Sequence, residues 1–207
     1  MRARTSLAAV GVAAALTLTL AGCFTPSPAS PTTDESAPPS ADDSATDESA
    51  PPALTVDPAT GELLTGTGYS VNAPEGWTVP SDAPTQADVF AVASPDADGF
   101  YNTVNVLIAP TIGDSAETEE IRGVAYLEST GATDVQVRPR VAVAGVESVH
   151  ISAKRTSSNG VAFWTEQYLV TANDVDYTVT FAFSETTPQE DREAVAASVL
   201  ASWAWAA

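Results

Sequence analysis

The run Val175-Asp176-Tyr177-Thr178-Val179-Thr180-Phe181-Ala182-Phe183-Ser184 alternates large apolar side chains with small or polar ones. A period of two sends successive side chains to opposite faces of an extended strand, so Tyr177, Val179, Phe181 and Phe183 share one face and mark it as a core face. The same period recurs on the N-terminal side. Val135, Val137, Val141 and Val143 alternate with Gln136, Arg138, Arg140 and Ala142, and Val149, Ile151 and Ala153 alternate with His150, Ser152 and Lys154. Residues 161–172 form a further strand with Trp164, Glu166 and Tyr168 on its even positions. The links Ala144-Gly145, Ser157-Ser158-Asn159-Gly160 and Asn173-Asp174 are short and turn-prone, which predicts hairpins and an antiparallel meander. Earlier strands are expected at 69–73, 88–93 and 103–109.

Two helices frame the meander. Asp114 with Glu117 predicts a capping-box start, and Glu117, Glu119 and Glu120 suit the positive end of a helix dipole. Ile121, Val124, Ala125 and Leu127 are expected on the buried side, with Gly131 as the stop. Thr187-Pro188-Gln189-Glu190 predicts a second start, with Thr187 as N-cap and Pro188 at the first helical position. Val195, Val199, Leu200 and Trp203 form its apolar stripe. The fold class that follows is α+β, an antiparallel β-sheet flanked by helices.

The chain before this domain differs in kind. Arg2 and Arg4 precede an apolar stretch at 7–20, ending in Leu20-Ala21-Gly22-Cys23. A basic start, an apolar run shorter than the roughly 18–20 residues of a membrane span, and small residues before a cleavage point are the parts of a secretory signal. The signal is assigned to 1–22. Its Leu-Ala-Gly-Cys ending resembles the lipobox of bacterial lipoproteins, which implies that Cys23, the one cysteine, becomes the lipid-modified N-terminus. A membrane-spanning anchor and an ordinary secreted protein cut near Ala21 are the alternatives.

Residues 23–60 are rich in Pro, Ser, Thr, Ala, Asp and Glu, and Thr33-Asp34-Glu35-Ser36-Ala37-Pro38-Pro39 recurs at Thr46-Asp47-Glu48-Ser49-Ala50-Pro51-Pro52. Such a composition cannot bury enough apolar surface to offset its ordering entropy, so a disordered tether is expected. All four tryptophans lie in the domain assigned to 61–207. Without Arg2 and Arg4 the chain has 6 basic residues against 27 acidic ones, a formal charge of −21. That field repels nucleic acid and anionic membrane surfaces.

Catalytic signatures are missing. No Gly-x-Ser-x-Gly elbow or phosphate-binding glycine loop occurs, and one histidine with no free thiol leaves no ordinary zinc or iron ligand set, so no metal or cofactor is expected. Asp96-Ala97-Asp98-Gly99 lacks the spacing and the distal glutamate of a calcium loop and is expected to be an ordinary turn. His150 and Ser152, two apart on one strand, stand about 7 Å from each other, too far for a nucleophile–base pair. The remaining constellation comprises Arg138, Arg140, His150, Lys154, Trp164, Glu166 and Tyr168. It is expected on the sheet face opposite the main core, where Arg, Trp and Tyr make a binding surface. The competing expectation is that a helix covers its aromatics while acidic neighbours pair its bases.

The segment Gly68-Tyr69-Ser70-Val71-Asn72-Ala73-Pro74-Glu75-Gly76-Trp77 resembles the opening of the Mog/PsbP-like superfamily, an aromatic, an extended strand and then Pro-x-x-Trp. The order that follows, two strands, a helix, a four-strand meander and a closing helix with aromatics, extends the resemblance over the domain. With its signal, lipid-modified cysteine and tether, the chain is most similar to the actinobacterial LpqN-type lipoproteins. The resemblance implies a helix–sheet–helix sandwich and a role in binding or assembly instead of shared catalysis. The functional expectation is a lipid-anchored accessory module at the extracytoplasmic face of the cell membrane. It would hold an envelope protein or glycolipid through the domain and the membrane through Cys23. The alternative is an envelope hydrolase or transferase working through carboxylates.

Overall fold

A computed structural model describes residues 50–206; Cys23, the signal segment and all but the end of the expected tether lie outside them. The elements run β1 (Leu63–Gly66), β2 (Tyr69–Asn72), β3 (Val89–Val92), β4 (Thr103–Pro110), α1 (Ala116–Ser129), β5 (Thr133–Val143), β6 (Val146–Thr156), β7 (Ala162–Ala172), β8 (Val175–Ser184), α2 (Gln189–Ala201) and β9 (Ala204–Trp205). β3-β4-β8-β7-β6-β5 form a six-stranded antiparallel sheet, and β1-β2-β9 form a small three-stranded one. The expected α+β class with a helix on each face of the meander is what the chain adopts.

The meander follows from its turns. Ala144 and Gly145 have φ of 46° and 84°, and Asn173 and Asp174 have 51° and 62°. Two positive-φ residues in a two-residue loop are the tight turn whose twist matches that of paired strands. Tyr177, Val179, Phe181 and Phe183 enter the main core with Val104 and Val106 of β4 and Ala196, Val199 and Leu200 of α2. Tyr69 of β2 stacks on Trp203 at 4.0 Å between ring centroids, Tyr177 meets both edge-on, and Trp205 meets Trp203 edge-on and Tyr177 at a tilt. A second, smaller core joins Val149, Ile151 and Ala153 of β6 to Leu127 of α1.

Several local expectations are corrected. Ser115, not Asp114, caps α1, its hydroxyl accepting from the Thr118 amide; Asp114 instead pairs with Arg122. Ile121 is 68% exposed because α1 lies on β5 and β6 through Val124 and Leu127, one turn-face away. Gly123 permits that close seat, since a Cβ there would come within 2.6 Å of Ile151 Cδ1. In α2 the cap position falls on Pro188 with no side-chain cap bond, and the Thr187 carbonyl instead accepts from the Arg192 side chain, Nη1 at 2.8 Å. Trp203 lies past the end of α2, yet is buried as expected. The alternation of β5 is broken by register shifts between Thr133 and Gln136 and between Arg138 and Val141, next to Pro139, which cannot donate to the ladder. Contact with the domain begins before residue 61: Ala53 bridges Ala142, and the Ala59 amide donates to Ser198 O at 2.8 Å.

Candidate functional site

The seven residues grouped by the sequence do not form an open surface. Trp164, Glu166 and Tyr168 of β7 lie opposite Phe183, Phe181 and Val179 of β8, and Lys154, Ser152 and His150 of β6 lie opposite the same three β7 positions. Arg138 of β5 follows beside His150. This is the main-core face, not the one opposite it, and α2 covers it. A period of two says which residues share a face; it does not say which of two covered faces holds the larger core.

At the centre of this face Glu166 is fully buried, with 0% of its surface exposed. Arg192 of α2 donates its Nε to Glu166 Oε1 at 2.8 Å, Ser152 Oγ donates to the same oxygen at 3.0 Å, and His150 Nε2 lies 3.0 Å from Oε2. Burial alone would raise the Glu166 pKa, but the hydrogen bonds from His150, Arg192 and Ser152 and the charge of His150 outweigh it and hold the carboxyl below its usual range. An ionised carboxylate accepts only, so His150 Nε2 carries the proton in this contact. The carboxylate thus spans the gap between His150 and Ser152 that strand geometry opens. Tyr168 stacks on His150 at 4.1 Å, and Arg192 lies 4.4 Å over the Trp164 ring. Burial, with the nearby Glu166 and Glu193 charges, pushes the Tyr168 phenol up.

The outer members pair with acids. Arg138 binds Glu193 of α2 at 2.7 Å, and Lys154 binds Glu185. Arg140 leaves the group: the register shift at Pro139 turns it toward α1, where it holds Glu120 at 2.6 Å, and it also binds Glu147 of β6 at 3.3 Å. Neither Arg192 nor its bond to Glu166 was expected, because α2 reaches β7 only through the tertiary fold. The Asp96–Gly99 loop is self-satisfied, Asp96 accepting from the Asp98 and Phe100 amides and Asp98 from Ser184 and Thr186 hydroxyls.

The open surface is on the other face. Because α1 covers only the β5–β6 side, a groove of about 540 Å³ runs beside it over β4, β8 and β7. The register lays its floor in rows: Asn105, Thr180 and Gln167; then Leu107, Thr178 and Leu169; then Ala109, Asp176 and Thr171. Arg122, Gly123 and Tyr126 of α1 form one wall, and Arg155 stands at the end beyond Asn105. Leu107 is 43% exposed and Tyr126 59%. Sequence reasoning passed over these residues, although the polar members of the β8 alternation, Asp176, Thr178 and Thr180, were a sign that one sheet face is not fully covered. The volume suits a small molecule or a few side chains of a partner.

No family model matches the sequence, and no curated protein does. Among solved structures, the chain is similar to the Saccharomyces cerevisiae Ran-binding protein Mog1p, with 12% identity, a TM-score of 0.49, and coverage of 70% of this chain and 96% of that one. It is similar to cyanobacterial PsbP of Synechocystis, with 15% identity, a TM-score of 0.44, and coverage of 73% and 96%. A third is LpqN, involved in cell envelope biogenesis of Mycobacterium tuberculosis, with 11% identity, a TM-score of 0.45, and coverage of 67% and 86%. The chain spans about half, 49%, of a longer Bacteroides thetaiotaomicron protein that it also matches.

Proposed function

We propose that this chain is an LpqN-type lipoprotein, anchored through lipid on Cys23 to the extracytoplasmic face of the cell membrane. Its domain binds an envelope protein or glycolipid without catalysing a reaction on it. The half-covered sheet face carries the reading: a groove beside α1 with exposed Leu107 and Tyr126 leaves apolar surface for a partner to bury. The Leu20-Ala21-Gly22-Cys23 ending supports the anchor, and no helix among the described residues is long and apolar enough to cross a membrane.

The reading as a carboxylate-dependent hydrolase or transferase is the weaker one. Such chemistry wants a desolvated acid whose pKa is raised so that it can deliver a proton. The deepest carboxylate, Glu166, is shifted the other way and its oxygens are already bonded.

Two measurements test the proposal. Changing Cys23 to Ala is expected to move the protein from the membrane pellet to the soluble or secreted fraction; persistence in the pellet overturns the lipid anchor. A photo-crosslinking residue placed at Tyr126 is expected to give envelope adducts that one placed at the exposed Val137 does not. Equal adducts from both positions, or none from Tyr126, overturn the groove as the binding surface.

A further inference from the structure

We propose that the groove takes an amphiphile whose anionic group, a carboxylate or a phosphate, is held by Arg155. The inference rests on the groove being the binding surface and names the ligand class. Arg155 stands apart from every other basic side chain described. Arg122, Arg138, Arg140, Lys154 and Arg192 each hold a carboxylate. Arg155 makes no ion pair and donates no side-chain hydrogen bond among the described residues, although it is partly buried and belongs to a strongly acidic chain. A guanidinium left unpaired in such a chain is a free planar donor fork, the shape that recognises carboxylate and phosphate.

The rows of the floor give the groove a direction. Two steps along the strands from Arg155, past the row of Thr165 and Ala182, the row of Asn105, Thr180 and Gln167 supplies neutral polar groups, with Gln167 Nε2 donating to Thr180 Oγ1 at 3.2 Å. One step on, about 7 Å along the strands, Leu107 and Leu169 supply apolar surface. At the far end Asp176 lies in the floor, whereas Glu119 on the wall is paired with Arg122. Asp176 repels an anion placed the wrong way round, so the head group sits at Arg155 and the apolar body lies over Leu107 and Leu169.

The test titrates the purified chain by calorimetry with decyl phosphate, decanoate, decyl maltoside and inorganic phosphate, each below any micelle-forming concentration. The expected result is about tenfold tighter binding of the two anionic decyl compounds than of the maltoside, the scale of one charge-assisted hydrogen-bond pair. Arg155→Gln should abolish that preference and leave maltoside binding and the unfolding midpoint unchanged. Equal affinity for all three decyl compounds, or a preference that survives Arg155→Gln, overturns the anion assignment while the groove keeps its role. Inorganic phosphate binding as tightly as decyl phosphate overturns the amphiphile and leaves a bare anion site. Binding of no decyl compound overturns both this proposal and the groove reading on which it rests.

Discussion

Glu166→Gln is expected to destabilise the domain by about 3–5 kcal/mol, the usual cost of removing one partner from a buried ion pair. The substitution keeps the shape of the side chain and removes its charge, so Arg192, itself buried on the inner side of α2, loses its counterion in the core. Against a total stability of about 5–15 kcal/mol, the loss places the variant near its unfolding threshold at room temperature. The urea midpoint measures it. The pair Glu166→Leu with Arg192→Met should recover a large part of the loss, since removing both charges removes the desolvation cost with them. A midpoint for Glu166→Gln within about 0.5 kcal/mol of the parent, the range of an ordinary surface substitution, would show that the network contributes nothing.

The same network has a pH signature. The Glu166 carboxyl is held below its usual range in the folded chain, so its contribution to stability is fully present above the unfolded carboxylate pKa of roughly 4.3. It fades as pH falls through the lower, folded value. The gap in stability between the parent and Glu166→Gln should therefore narrow as pH falls below the unfolded carboxylate pKa of roughly 4.3. A gap that widened below that pH would contradict the assignment.

The second large effect is expected from Trp203→Ala, at about 3–5 kcal/mol for truncating a buried aromatic. Trp203 lies flat on Tyr69 and meets Tyr177 and Trp205, so its loss opens a cavity where both sheets and the end of α2 converge. Thermal unfolding followed by near-ultraviolet circular dichroism reads it directly, through the drop in midpoint and the loss of the stacked-aromatic signal. Trp203→Phe should restore part of the stability, because a ring can still stack on Tyr69. An Ala variant that unfolds at the parental temperature would mean that the cluster is peripheral to the core.

Much of the fold was readable from local rules because the meander is built from them. β8 has a clean period of two, and Asn173-Asp174 and Ala144-Gly145 are turns whose geometry fixes which strands pair. The helices were found from their acidic starts, with caps displaced by a residue. Faces were harder. With α1 on one side and α2 on the other, apolar side chains occur on both, and Trp164 and Tyr168 belonged to the core they had been placed opposite. Pro139 carried the signal that Arg140 would leave its neighbours, since a proline in a strand marks a bulge or an edge. Glu166 was singled out, but its meaning depended on Arg192, 26 positions away on another element. The groove depended on where α1 stops covering the sheet, a property of packing that no spacing encodes.

The pairing of β2 with β9 joins Tyr69 to Trp205 and Ser70 to Ala204, tying an early strand of the domain to its last residues. A chain that emerges from its N-terminal side displays Tyr69 and the rest of β2 without their partner until the final turn of α2 and β9 have followed. Closure of the aromatic cluster is a contact between the most distant parts of the domain, which makes it slow and late in folding. The aromatic cluster therefore cannot close until Trp203 and Trp205 are available to β2.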